Sequence, residues 1–150
     1  ERDSILARPG SFNGTGYPIR GIIRNEMLYL YNFEPRRWPA GSPPYLYDVH
    51  PSPTKVEIRK LGMQNKFWED CYGLRPNEEL YNLNEDPDCM NNLSASDDYA
   101  VAKSGLKKIL FEKLKREEDP RAMGRGYTFD NYLSPQADMT IARRSKNQKK

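Results

Sequence analysis

Between Pro18 and Phe33 lie two β-rich runs separated by only two polar residues, and no other stretch limits the possible folds so strongly. The first run holds Ile19, Ile22 and Ile23. The second reads Met27-Leu28-Tyr29-Leu30-Tyr31-Asn32-Phe33, with Asn25-Glu26 in between. This spacing predicts a β-hairpin, although Asn-Glu is a weaker turn pair than Asn-Gly. Side chains alternate across a strand, so Tyr29, Tyr31 and Phe33 share one face while Leu28 and Leu30 share the other. Both faces are apolar, which places the second run inside a sheet covered on each side.

The chain has little material for that cover. Its 150 residues are 37% hydrophobic and 30% charged, against roughly 45–50% and 25% in an ordinary globular domain. A modest core is expected, with part of the surface resting on a partner. Twelve prolines and ten glycines argue for long irregular stretches rather than a dense helical bundle. The excess of positive charge is local: Arg143, Arg144, Lys146, Lys149 and Lys150 lie in the last eight residues, and the remainder is slightly acidic. A nucleic-acid partner needs a basic face on the folded body, and none is visible. No apolar run reaches the roughly 18–20 residues of a membrane span. The chain starts at Glu1 without an initiator Met or a signal peptide, which reads as loss of something upstream.

Further along, residues 1–16 are polar, with turns at Arg8-Pro9-Gly10 and Asn13-Gly14-Thr15-Gly16. Residues 34–54 form a long proline-rich loop whose Trp38 wants a pocket. A helix is predicted from about Lys55 to Tyr72, with Ile58, Leu61, Trp68 and Tyr72 at helical spacing and Met63, Phe67 and Cys71 widening the stripe. Glu79 to Leu83 reads as a short strand with Leu80 and Tyr81 on opposite faces, running into a turn at Asn84-Glu85-Asp86-Pro87. A second helix is predicted over 97–118, with Ser96 as its N-cap and acidic residues in its first turn. Its stripe is Tyr99, Ala102, Leu106, Ile109, Leu110 and Leu114, and Asp119-Pro120 ends it. The fold class is α+β: a small antiparallel sheet of about four strands with this C-terminal helix packed on one face, the other face meeting a body outside the chain.

Catalytic constellations are missing from the sequence. His50 is the only histidine and sits in the proline-rich loop without a ligand-spaced companion. Asp86, Asp88, Glu78 and Glu79 form an acidic run that lacks the alternation of a calcium loop. Cys71 and Cys89 are too few for a disulfide framework, and the sequence leaves open whether they pair. No catalytic or metal-binding residue is nominated.

Two stretches point to a family. Arg75-Pro76-Asn77-Glu78-Glu79-Leu80-Tyr81-Asn82-Leu83-Asn84-Glu85-Asp86-Pro87-Asp88, continued by Met90-Asn91-Asn92-Leu93, resembles the C-terminal signature of sulfatases: Glu-Leu-Tyr-Asp-Leu, a short gap, Asp-Pro, then Asn-Leu before a terminal helix. Tyr17-Pro18-Ile19-Arg20-Gly21-Ile22-Ile23-Arg24 and Leu28-Tyr29-Leu30-Tyr31-Asn32-Phe33 are similar to the strand pair upstream of that signature. The Tyr-Pro-x-Arg opening, with Arg36-Arg37-Trp38-Pro39-Ala40-Gly41 and Asp119-Pro120-Arg121, resembles the heparan N-sulfatase (sulfamidase-like) branch.

The resemblance covers residues 1–133, leaving 134–150 as a basic, flexible tail. It implies the C-terminal subdomain of an alkaline-phosphatase-like sulfatase fold, docked on a catalytic α/β domain. For the parent protein it implies a periplasmic or secreted enzyme hydrolysing O- or N-linked sulfate from a sulfated glycan. That enzyme would use a formylglycine made from Cys or Ser in Cys/Ser-x-Pro-x-Arg, and a calcium ion. Neither cysteine here begins that motif, so the segment alone lacks the catalytic set. Glu1-Arg2-Asp3 resembles a Glu-Arg-His element near the pocket mouth of relatives, with Asp3 where the histidine is usual. On that basis Glu1, Arg2 and Arg20 are candidates for the glycan-facing rim. The alternative is an autonomous glycan- or protein-binding module without catalysis.

Overall fold

A computed structural model describes residues 4–7, 17–41, 43, 46 and 49–131. The predicted hairpin is present: β2 (Ile19–Arg24) pairs antiparallel with β3 (Met27–Asn32), with Arg24 opposite Met27. Asn25 and Glu26 close it with φ of 49° and 58°. Two consecutive left-handed residues are what a two-residue turn needs to match strand twist. Asn tolerates that conformation, whereas Glu adopts it at a cost. β1 (Ser4–Ala7) pairs with β2, and β4 (Glu78–Asn82) pairs with β3, completing a four-stranded antiparallel sheet in the order β1-β2-β3-β4.

The chain divides into two compact units. One comprises the described residues of Glu1–Arg8, Pro18–Pro35 and Pro76–Gly126, and the other those of Pro9–Tyr17, Arg36–Arg75 and Tyr127–Lys150. The first unit holds the sheet and the long helix. Ile22, Tyr29 and Leu80 stand side by side on adjacent strands and are fully buried. Across from them lies helix Ala100–Arg116, whose Leu106, Leu110 and Leu114 fall four residues apart and complete the core. Burying each such side chain contributes about 1.5–3 kcal/mol. Tyr31, Phe33 and the helix residue Phe111 meet edge-on or tilted at 4.9–6.0 Å between ring centres, the geometry aromatic quadrupoles favour.

Both ends of the long helix differ from expectation. Ser96 makes no side-chain capping bond; a 3-10 turn (Asp97–Tyr99) leads in instead. The helix stops before Asp119-Pro120 because Glu118 turns left-handed, at φ 53°. Glu118 N–H then donates to Lys115 C=O and Asp119 N–H to Leu114 C=O. Those two bonds are the Schellman closure, here without the usual glycine. Ala102 of the predicted stripe is exposed, and Ile109 and Tyr99 are half-buried.

In the second unit, the single helix predicted over 55–72 is two helices, which we number in chain order as α1 (Pro53–Leu61) and α2 (Lys66–Tyr72); the long helix is then α3. Ser52 caps α1 through its Oγ, with Pro53 at the first turn, where a missing N–H is harmless. Gly62 ends it at φ 82°, and the Asn65 side chain restarts the chain by accepting from Phe67 N–H at 2.9 Å. The apolar stripe splits accordingly. Trp68 and Tyr72 are buried with Ala40 and Leu46, whereas Leu61, Met63 and Phe67 are at least half exposed. Trp38 has its pocket: its ring meets Trp68 edge-on at 5.9 Å.

The sheet face opposite α3 is not bare. Glu79, Tyr81 and Asn32 are buried there, and Leu28 and Leu30 are half-buried. Much of the exposed apolar surface lies instead along residues 56–74, at Val56, Leu61, Met63, Phe67 and Leu74.

Candidate functional site

Of the three rim candidates, Glu1 and Arg2 fall outside the described residues. Arg20 is described, and it is buried. Its position on β2 turns the guanidinium toward the segment after α3, where Nε donates to Asp119 Oδ2 at 2.8 Å and Nη1 to Ile19 C=O at 3.0 Å. The two charged side chains are only 10% and 14% exposed. A guanidinium held this way anchors the chain; it does not face a solvent-borne glycan. Asp119 is also occupied on its other oxygen, which accepts from Arg121 N–H at 2.9 Å and Ala122 N–H at 3.3 Å. Arg121 is buried beneath Gly126, where an added Cβ would sit 2.6 Å from Arg121 Cδ. Any larger residue at 126 would have to displace the end of that arginine side chain. Arg121 also approaches Glu34, at 3.7 Å.

A second polar cluster lies on the helix-facing side of β4. Glu78 Oε1 pairs with Lys107 Nζ at 2.6 Å, and Oε2 accepts from Tyr29 Oη–H at 2.9 Å. Lys107 also sits 5.3 Å from the centre of the Tyr31 ring, within cation–π range. Burial alone would push the Glu78 carboxyl upward. The hydrogen bonds from Lys107 and Tyr29, with the charges of Lys107 and Lys103, outweigh it and hold the pKa below the usual carboxylate value. Burial, then the bond to Glu78, pushes the Tyr29 phenol far above its ordinary range. Glu78 is thereby a fixed anion joining two strands to α3.

The acidic run of the sequence is not a cluster in space. Glu78 and Glu79 point to opposite faces of β4, and Tyr81 Oη–H donates to Glu79 Oε2 on the far side. Asp86 takes the turn role expected of it, accepting from Met90 N–H at 2.9 Å and Asn91 N–H at 2.7 Å. His50 is exposed, and neither cysteine forms a disulfide, Cys71 being exposed.

The second unit has a shallow cleft of about 150 Å³ lined by Pro43, Leu46, Arg59, Gly62, Met63 and Trp68. Leu46 of that lining is tied to Lys55, a buried lysine whose ammonium donates to Leu46 C=O at 2.7 Å and Val49 C=O at 2.8 Å. Among the described residues no three His, Cys, Asp or Glu side chains converge to hold a metal ion. No described helix is long and apolar enough to cross a membrane.

The sequence reading missed the partners rather than the motifs. Asp119 entered there as a helix stop and as part of Asp119-Pro120-Arg121, Lys55 only as the start of a helix, and Lys107 not at all. Nothing local marks a bond spanning 99 positions, such as Arg20 to Asp119. No known protein family and no curated protein matches the chain.

Proposed function

We propose that this chain is the C-terminal subdomain of a sulfatase of the heparan N-sulfatase branch, a structural partner of a catalytic domain rather than a catalyst. One observation carries the reading: segments far apart in sequence that resemble that family meet within one unit. Arg20 of the Tyr-Pro-x-Arg strand is bound by Asp119 of Asp119-Pro120-Arg121. The Glu-Leu-Tyr-Asn segment is β4, and the Asp86-Pro87 turn follows it with its carboxylate satisfied by backbone. Each of these motifs thus has an architectural task, as expected of a segment whose signature marks packing. The exposed apolar side chains of α1, α2 and the link between them, Phe67 at 67% and Met63 at 53% among them, are the surface offered to the catalytic body. Calcium, formylglycine, a sulfated glycan substrate and a periplasmic or secreted location belong to the parent protein under this reading.

The test joins the chain to the reading frame that precedes it. The extended protein is expected to contain a Cys/Ser-x-Pro-x-Arg motif and to release sulfate from N-sulfated heparin oligosaccharides, while the 150-residue chain releases none. An upstream frame without that motif refutes the proposal. So does a chain that binds such oligosaccharides tightly by itself, which would favour the autonomous binding module.

A further inference from the structure

Asn77 C=O accepts from Asn32 N–H, and Leu83 N–H donates to Glu26 C=O. Odd-numbered residues of this stretch therefore bond toward β3. Glu78, Leu80 and Asn82 turn their backbone outward at an edge of the described sheet. Open edges of this kind are templates for another strand. This one is filled from within the chain. The Asn92 carboxamide accepts from Leu80 N–H at 3.0 Å and donates to Glu78 C=O at 3.3 Å. In a parallel strand pair, one residue bonds in the same way to the two residues flanking its neighbour. A side chain here imitates a strand. Leu93 N–H adds a bond to Leu80 C=O at 2.8 Å, and Ser94 Oγ–H one to Glu78 C=O at 3.0 Å. Asn82 C=O accepts from Glu85 and Asp86 N–H.

We infer that Asn92 is an edge-blocking residue, whose carboxamide occupies the backbone site that β4 of a second copy would otherwise take. The sequence of β4 makes a second copy the natural competitor. Two antiparallel β4 strands centred on Leu80 set Leu80 against Leu80, Glu79 against Tyr81 and Glu78 against Asn82. No like charges face each other in that register, so charge does not guard the edge. An isologous pairing of this kind would be self-complementary. Leu93 N–H and Ser94 Oγ–H cover carbonyls of this edge, and the carboxamide guards the Leu80 N–H.

The test compares the full chain with Asn92→Leu and Asn92→Ser by sedimentation over rising concentration, together with amide exchange at Leu80. In dilute solution both variants should exchange the Leu80 amide about fivefold faster than the parent, the loss of one net hydrogen bond. As concentration rises, their mass should climb toward twice the parent value while the Leu80 amide regains protection. Mass curves identical to the parent overturn the inference, as does association that leaves Leu80 unprotected. Asn92 is exposed, so the serine variant carries the test if the leucine variant fails to fold. Unfolding of the serine variant also overturns it, because a guard protects a folded edge rather than creating one.

Discussion

Replacing Asp119 with alanine removes one member of an ion pair held at 2.8 Å by side chains that are 10% and 14% exposed. Breaking a buried pair by deleting one partner costs about 3–5 kcal/mol, because the survivor keeps its desolvation without its counter-charge. Some water reaches both groups here, which places the term near ~3 kcal/mol. Asp119 Oδ1 also accepts from Arg121 and Ala122 N–H; orphaning that turn adds about 1 kcal/mol. Asp119→Ala should therefore cost about 4 kcal/mol. Arg20→Ala should cost less, about 2–3 kcal/mol, since the carboxylate it leaves behind keeps its two N–H donors. The double mutant should show a coupling of about 2 kcal/mol between the sites. Urea unfolding of the four proteins at pH 7 measures this, provided the m-values agree. A coupling under about 0.5 kcal/mol would mean that the pair is solvated, and the anchoring role assigned to Arg20 would be wrong.

Three further outcomes follow from the same structure. Glu78→Gln should cost about 1–2 kcal/mol at pH 7 through lost charge-assisted bonds. Because the folded pKa of Glu78 lies below its ordinary value, its contribution is complete above about pH 4.3 and is lost as pH falls through the lower folded value; stability curves for the two proteins should converge in acid, and a gap that widens there contradicts the assignment. Glycine at Glu26 or Glu118, both left-handed at φ 58° and 53°, should stabilise by about 1 kcal/mol each in denaturant titrations; a loss at either position would show that the glutamate side chain is needed. Leu110→Ala, at a fully buried position, should cost about 2–5 kcal/mol, whereas Val101→Ala, 87% exposed on the same helix, should stay within about 0.5 kcal/mol. Equal effects would mean that α3 does not dock through its leucine stripe.

Short-range features were legible in the residues. The hairpin, the strand ending near Asn82 and the leucine stripe of α3 all follow from side-chain periodicity, which local backbone geometry imposes. The Asp86 turn was legible for a similar reason, since an Asp carboxylate bonds to backbone a few residues away. The helix over 55–72 misled because apolar spacing outweighed two visible breaks. Gly62 can turn left-handed and Asn65 can cap a new helix, and in the structure they do both.

What sequence by itself determined, then, is the set of elements and the faces they present, because those depend on neighbours a few residues apart. Tertiary structure decided which groups meet. Arg20 stands on a strand that in isolation offers its guanidinium to any anion, and only folding brings Asp119 to it across 99 positions. Likewise Asn92 becomes a surrogate strand only after the chain has turned back beside β4. A polar side chain's role is set by the partner that arrives, and the arrival of a distant partner depends on chain topology rather than on local periodicity.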